Sequence, residues 1–178
     1  MCGIMLTRMS ENEFENVYRI MEASFPPDEH RPYEEQLGLL DNSCYQIFVA
    51  KENENSTEIQ GFMAVWQFEG LGFIEHFAVD SKCRNTGLGS RMLGEIGEHL
   101  IGHICLEVEL PDTVIAQRRI DFYQRNGFYY NDYPYIQPSI SKGRNPIPLR
   151  IMTYKSSISL DEFEKLKDIL YRDVYNLM

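Results

Sequence analysis

Apolar residues cluster in short runs that predict β-strands and recur at three- to four-residue spacing in segments that predict helices. The predicted strands are 2–8, 45–50, 59–68, 73–79, 104–110, 128–135 and 149–154. Short polar or glycine-containing turns join the second, third and fourth of them. Because short connections favour hairpins, these three strands are predicted to be antiparallel neighbours.

The helical periodicity covers five segments, 14–21, 33–40, 88–100, 115–125 and 160–174. Capping boxes, Ser10 with Glu13 and Ser159 with Glu162, mark the starts of the first and the last. The strand–helix–strand order around 88–100 predicts a parallel, right-handed crossover. The pattern therefore predicts an α/β (α+β) fold, with a mostly antiparallel mixed sheet of about seven strands, flanking helices and an extra C-terminal helix.

Length and composition narrow the functional classes. A chain of 178 residues is long enough for one well-filled core. We expect one domain over 1–155, with 156–178 as an amphipathic helix of the same globular unit. The net charge of -10 argues against nucleic acid or an anionic membrane as partner. Four cysteines without metal-site spacing, and no apolar run long enough to cross a bilayer, favour a reducing cytoplasmic location.

The most informative segment is Arg84-Asn85-Thr86-Gly87-Leu88-Gly89, which follows a strand and opens a helix. Backbone N–H groups and the helix dipole converge there, so the turn predicts an anion site. From 81 to 94 the chain carries three cations and no carboxylate. A Rossmann GxGxxG is excluded because the next glycine is Gly94, and the Gly-Lys-Ser/Thr ending of a P-loop is absent.

Two motifs together suggest a family. Val79 followed by Arg84-x-x-Gly87-x-Gly89, and later Phe122-Tyr123-x-x-x-Gly127-Phe128, resemble the GCN5-related N-acetyltransferase (GNAT) superfamily. The resemblance implies acetyl-CoA as co-substrate, no metal, and transfer of the acetyl group to a primary amine by direct attack. It also implies that the turn binds the cofactor pyrophosphate and that the strand before it pairs with the pantetheine arm. The implied cofactor-binding residues are Phe77, Val79, Arg84, Asn85, Thr86, Gly87, Leu88, Gly89 and Ser90.

The resemblance also implies the catalytic residues. Tyr123 is the candidate general acid, because a phenol is protonated at neutral pH and can protonate a thiolate. Glu75 is the candidate acceptor contact or water-relayed base, and the backbone N–H of Val79 or a neighbour is the candidate oxyanion contact. On a regular strand Glu75 shares a face with Phe77 and Val79, and His76 points the opposite way. A β-bulge would reverse that assignment and favour His76.

Other features leave alternatives open. Where the family usually has an asparagine, this chain has Ala116, and Arg119 replaces a usual small residue. The loop 25–31 and the tyrosine-rich strand 128–135 are expected to form acceptor-site walls for a small-molecule or peptide amine. The sequence leaves open whether the protein forms a homodimer.

A non-catalytic acyl-CoA sensor on the same fold is the main alternative function. A second is a glutamine amidotransferase, suggested by Met1-Cys2-Gly3-Ile4, although the chain is short for that class.

Overall fold

The computed structural model describes residues 5–177, so Cys2 and the start of the predicted first strand lie outside the described residues. Seven strands form one mixed sheet in the order β1-β2-β3-β4-β5-β7-β6, which confirms the predicted fold class. The strands are β1 (Met5–Arg8), β2 (Tyr45–Lys51), β3 (Gly61–Phe68), β4 (Leu71–Val79), β5 (His103–Glu109), β6 (Phe128–Gln137) and β7 (Ile147–Tyr154).

Five α-helices in this part of the chain lie where the periodicity predicts them. They are α1 (Phe14–Ser24), α2 (Tyr33–Gly38), α3 (Leu88–His99), α4 (Val114–Arg125) and α5 (Leu160–Ile169). The second capping box is formed, since the Ser159 hydroxyl accepts from the Glu162 N–H and the Glu162 carboxylate accepts from the Ser159 N–H. A π-helical turn, Leu170–Val174, continues α5 and was not predicted.

The chain divides into two compact units, Met1–Gly102 and His103–Met178. The first contains β1–β4 and α1–α3, and its core includes the fully buried Trp66, Phe62 and Phe73. The second contains β5–β7, α4 and α5, with Phe163 and Ile151 among its buried side chains. The predicted assignment of 1–155 to one domain stays a prediction.

In the first unit, β2, β3 and β4 are antiparallel neighbours as predicted, but the last pair is irregular. Ala64 pairs with His76, whereas the next residue, Val65, pairs with Ile74. Glu75 is therefore the extra residue of a β-bulge. The regular alternation assumed for β4 is wrong at this point, because the inserted residue shifts the facing of its neighbours.

The turn after α3 requires a glycine. Gly102 has φ +88°, and a Cβ built on it would lie 2.4 Å from the carbonyl oxygen of Gly70. We expect Gly102→Ala to lower the free energy of unfolding by roughly 2 kcal/mol or more, from backbone strain and the clash. Urea denaturation measures this. Gly94→Ala is the matched control: it lies within α3 with open space around its Cβ, and should stabilise by about 0.5–1 kcal/mol. Equal stability of the two variants would contradict this account.

Candidate functional site

The turn between β4 and α3 has the geometry of an anion-binding loop. Asn85 and Gly87 both adopt left-handed backbone conformations, with φ of 62° and 80°. Gly87 is the N-cap of α3, and the first turn of that helix contains no acidic residue. The first N–H groups of a helix lack intrahelical partners and point outward. The turn therefore presents backbone donors and a positive helix end on an exposed surface.

Side chains stabilise this turn from within. The Thr86 hydroxyl donates to the Cys83 carbonyl at 2.7 Å, and the Arg84 Nε donates to the Val79 carbonyl at 3.3 Å. The Asp80 carboxylate accepts from the Lys82 N–H, which begins the short 3-10 turn before Arg84. A Cβ on Gly87 would meet no atom within 4 Å, so the space above the turn is open. These features fit a bulky anion approaching the backbone.

The Glu75 carboxylate lies in a buried network that the sequence analysis missed. Arg31 Nη1 donates to both of its oxygens, at 2.8 and 3.2 Å, and Trp66 Nε1 donates to Oε1 at 2.7 Å. The side chains of Arg31 and Glu75 are only 6% and 2% exposed. Arg31 and Glu75 are 44 positions apart, so no local spacing could connect them. The one available signal was a basic residue in a loop already expected near the site.

These contacts keep Glu75 ionised. Burial raises the pKa of the Glu75 carboxyl, but the charge of Arg31 and the hydrogen bonds from Arg31 and Trp66 outweigh burial, so the pKa lies below its ordinary value. A carboxylate with a lowered pKa is a weak proton acceptor. Burial alone would make Glu75 a stronger base, but its contacts with Arg31 and Trp66 oppose that effect.

The same shift predicts how stability depends on pH. Because the folded-state pKa of Glu75 is lower than its unfolded value of about 4.3, Glu75 stabilises the fold above that pH. This contribution is lost as the pH falls through the folded-state pKa. The free energy of unfolding should thus fall more steeply below about pH 4.3 in the native protein than in the double variant Arg31→Met/Glu75→Gln. Urea denaturation at each pH measures this difference. An equal loss of stability in the two proteins below that pH would contradict a stabilising role for the Arg31–Glu75 ion pair.

His76 also contacts the loop before α2. Its Nε2 lies 2.6 Å from the Glu29 carbonyl oxygen, and its ring packs edge-on against Phe25 with centroids 5.0 Å apart. The imidazole is 2% exposed. The bulge thus lets Glu75 and His76 both meet residues 25–31, where a regular strand would separate them.

Tyr123 lies in the second unit, on α4. Its ring packs against Phe122 and Phe128, with centroids 5.5 and 5.8 Å away, and the residue is 8% exposed. Burial raises the pKa of Tyr123 to about 12, and the nearby Arg119 opposes that rise. The phenol is therefore fully protonated at neutral pH, as a general acid must be.

The position of the missing family asparagine has a structural role in this chain. Ala116 is buried in the first turn of α4, and its N–H donates to the Thr113 hydroxyl that caps the helix. Arg119, one turn before Tyr123, pairs with Glu109 at the end of β5. Its charge is thus balanced within the second unit.

A second, partly buried carboxylate was also missed. Glu107 Oε1 accepts hydrogen bonds from the hydroxyls of Tyr135 and Tyr175, each at 2.7 Å. Tyr175 follows the π-helical turn, and from that turn Tyr171 donates to the Ile136 carbonyl. These hydrogen bonds connect the C-terminal segment to β5 and β6.

Among residues 5–177, no group of His, Cys, Asp or Glu has the arrangement of a metal site, and no helix is long and apolar enough to span a membrane.

Comparison with known proteins agrees with the turn geometry. A family model described as the acetyltransferase (GNAT) domain matches residues 43–130, a segment that contains the bulged strand, the turn at 84–89 and Tyr123. The chain contains a GNAT acetyltransferase domain. This confirms the family inferred from the two motifs and supports acetyl-CoA as the co-substrate. No curated protein matches the sequence.

Solved structures extend the likeness beyond the matched segment. A Bacteroides thetaiotaomicron protein described as a GNAT-family acetyltransferase is 28% identical, with a TM-score of 0.88 over 98% of this chain and 100% of that one. Arabidopsis thaliana NAA60 with acetyl-CoA is 15% identical, with a TM-score of 0.65 over 85% and 98%. The ribosomal-protein-S18-alanine N-acetyltransferase of Escherichia coli is 15% identical, with a TM-score of 0.61 over 89% and 98%. The last two likenesses concern the fold alone.

Proposed function

We propose that this GNAT protein is an acetyl-CoA-dependent N-acetyltransferase that moves the acetyl group from the thioester to a primary amine by direct attack. The observation that carries the proposal is the exposed turn at the start of α3, with its two left-handed residues and no nearby acidic side chain in the helix. Such a turn offers a diphosphate several backbone donors at once. It lies inside the segment that the GNAT model matches.

In this proposal the donor is held by backbone rather than by charged side chains. The N–H groups of 86–89 bind the pyrophosphate, with Arg84, Asn85 and Ser90 at its edge. The β4 backbone at Phe77 and Val79 pairs with the pantetheine arm, and the Val79 N–H contacts the thioester carbonyl oxygen. A backbone donor of this kind stabilises negative charge on that oxygen as the amine attacks.

The proposed catalytic residues are Tyr123 and Glu75. Tyr123 donates a proton to the leaving thiolate, and its raised pKa keeps the phenol protonated at neutral pH until that transfer. Glu75 was predicted to be either a contact for the acceptor or a water-relayed base. Its lowered pKa and its contacts with Arg31 and Trp66 support the first role, in which its fixed negative charge contacts the acceptor. The acceptor is proposed to be a small-molecule or peptide amine, because the acidic chain is compatible with a cationic substrate.

The first experiment measures donor binding and turnover. Acetyl-CoA should raise the melting temperature, and thiol release should appear with at least one member of a panel containing spermidine, lysine and an alanyl peptide. Gly87→Asp and Gly87→Asn form a matched pair, since both side chains tolerate the left-handed conformation and only the first adds a negative charge. The Gly87→Asp variant should lose the rise in melting temperature caused by acetyl-CoA, and the Gly87→Asn variant should retain most of it. No shift in the native protein would refute the proposed function, whereas a shift without thiol release would favour a sensor.

A further inference from the structure

The bulge in β4 brings the ionisable side chains of Glu75 and His76 to the same loop, 25–31, and the two differ in their protonation. Glu75 is held by Arg31 and Trp66, which donate three hydrogen bonds to it. His76, the next residue, contacts the same loop through the Glu29 carbonyl oxygen. One group is thus fixed as an anion, and the other can still change its protonation.

The contact with Glu29 determines which nitrogen of His76 carries the hydrogen. A carbonyl oxygen can only accept, so at 2.6 Å the Nε2 atom must be the donor. In the neutral ring the lone pair then lies on Nδ1. This Nδ1 atom is buried and makes no hydrogen bond to any of residues 5–177. A backbone carbonyl that orients one ring nitrogen, leaving the other as an acceptor, is the arrangement of a histidine base.

We propose that the Nδ1 atom of His76 takes the proton from the acceptor amine, and that the Glu29 carbonyl orients this histidine. The proposal rests on the proposed N-acetyltransferase function and assigns the base within it. Glu75 keeps the acceptor contact proposed above, and its negative charge also stabilises the imidazolium that forms.

The surroundings of His76 fit this role. Burial lowers the pKa of His76, the charge of Glu75 raises it, and Arg31 and His30 lower it further, so the ring is neutral at pH 7. These groups are the charged and titratable neighbours contributed by β4 and by the loop. Transfer from an alkylammonium to an imidazole of ordinary pKa is unfavourable by a factor of roughly 10⁴, against roughly 10⁶ for transfer to an ordinary carboxylate. The lowered pKa values of His76 and Glu75 increase both factors. Histidine is therefore the better-matched acceptor.

The step balances as follows. The ammonium gives one proton to His76 Nδ1, and the amine lone pair forms the C–N bond with the thioester carbon. The C–S bond breaks and its electron pair stays on sulfur, which takes the phenolic proton of Tyr123. The nitrogen of the new amide loses its second proton, which restores the phenol, and His76 releases its proton to water. The products are the amide, free CoA thiol and one proton.

His76→Gln is the direct test, because the glutamine amide can still donate to the Glu29 carbonyl while the Nδ1 base is lost. With acetyl-CoA and the most active amine of the panel, we expect kcat to fall about 10²–10⁴-fold. The thermal shift by acetyl-CoA should persist, and the acid limb of the kcat/KM pH profile should disappear. His103→Gln, which removes an exposed histidine, is the matched control and should keep native rates. A His76→Gln enzyme with kcat within threefold of native and an unchanged acid limb would overturn the proposal.

A second measurement needs no active variant. Nitrogen-15 NMR of histidine-labelled native protein distinguishes the two ring tautomers. His76 should carry its hydrogen on Nε2, whereas His30, whose Nδ1 lies 3.0 Å from the Pro26 carbonyl oxygen, should carry it on Nδ1. A hydrogen on Nδ1 of His76, or an imidazolium at pH 7, would overturn the assignment. Failure of the whole panel with a correct His76 tautomer would instead refute the proposed function.

Discussion

Replacement of Arg31 by methionine is expected to lower the free energy of unfolding by about 3–5 kcal/mol. The reason is that the substitution leaves the Glu75 carboxylate charged in a site where it is 2% exposed. The remaining hydrogen bond from Trp66 cannot replace the guanidinium charge. Urea denaturation at pH 7 measures the loss.

The control is the double variant Arg31→Met/Glu75→Gln. The glutamine carbonyl can still accept from Trp66 Nε1, and no uncompensated charge remains, so most of the lost stability should return. A buried pair replaced as a whole is often close to neutral, whereas a broken pair is costly. A single variant that loses less than about 1 kcal/mol would show that the pair is solvated, contrary to its burial in the structure.

Replacement of Tyr123 by phenylalanine is expected to lower kcat about 10²–10⁴-fold while the affinity for acetyl-CoA stays unchanged. Phenylalanine keeps the ring contacts with Phe122 and Phe128, so only the proton donor is lost. Initial rates of thiol release give kcat, and the thermal shift reports donor binding.

The matched control is Tyr33→Phe on α2, which removes a hydroxyl from a residue that is 37% exposed and keeps the ring contacts with Phe14 and Tyr18. It should keep native rates. If the protein is a non-catalytic sensor, both tyrosine variants bind acetyl-CoA alike and the native protein shows no turnover to lose. A Tyr123→Phe enzyme with native kcat would remove the phenol from the mechanism.

Much of the fold was predictable because its signals are local. Strand runs, helical periodicity and the Ser159–Glu162 capping box depend on residues a few positions apart, and the structure confirms them. Pro26-Pro27 ends the first helix where expected, since α1 stops at Ser24. The π-helical turn 170–174 was missed because its sequence continues the helical pattern of α5.

The part of the candidate site that depends on neighbouring residues was also predictable from the sequence. The turn at 84–89 is recognisable from adjacent glycines and charges, and its left-handed residues agree with an anion-binding loop. The partners of Glu75 were not predictable, because they come from residues 31 and 66 on other elements. A β-bulge was predicted only as an alternative to a regular strand. Whether a bulge forms depends on how β4 pairs with β3, and the sequence of β4 alone does not specify that pairing.

The bond between Glu107 and Tyr175 has a consequence for synthesis of the protein. The two residues are 68 positions apart, and Tyr175 lies near the end of the sequence. At about 5–20 residues per second, a ribosome adds the second phenol roughly 3–14 s after the carboxylate. Until Tyr175 is added, Glu107 lacks one of the two phenol hydrogen bonds that it accepts in the folded unit 103–178. Of these two donors, Tyr135 is synthesised first, so its hydrogen bond to Glu107 becomes possible before that of Tyr175.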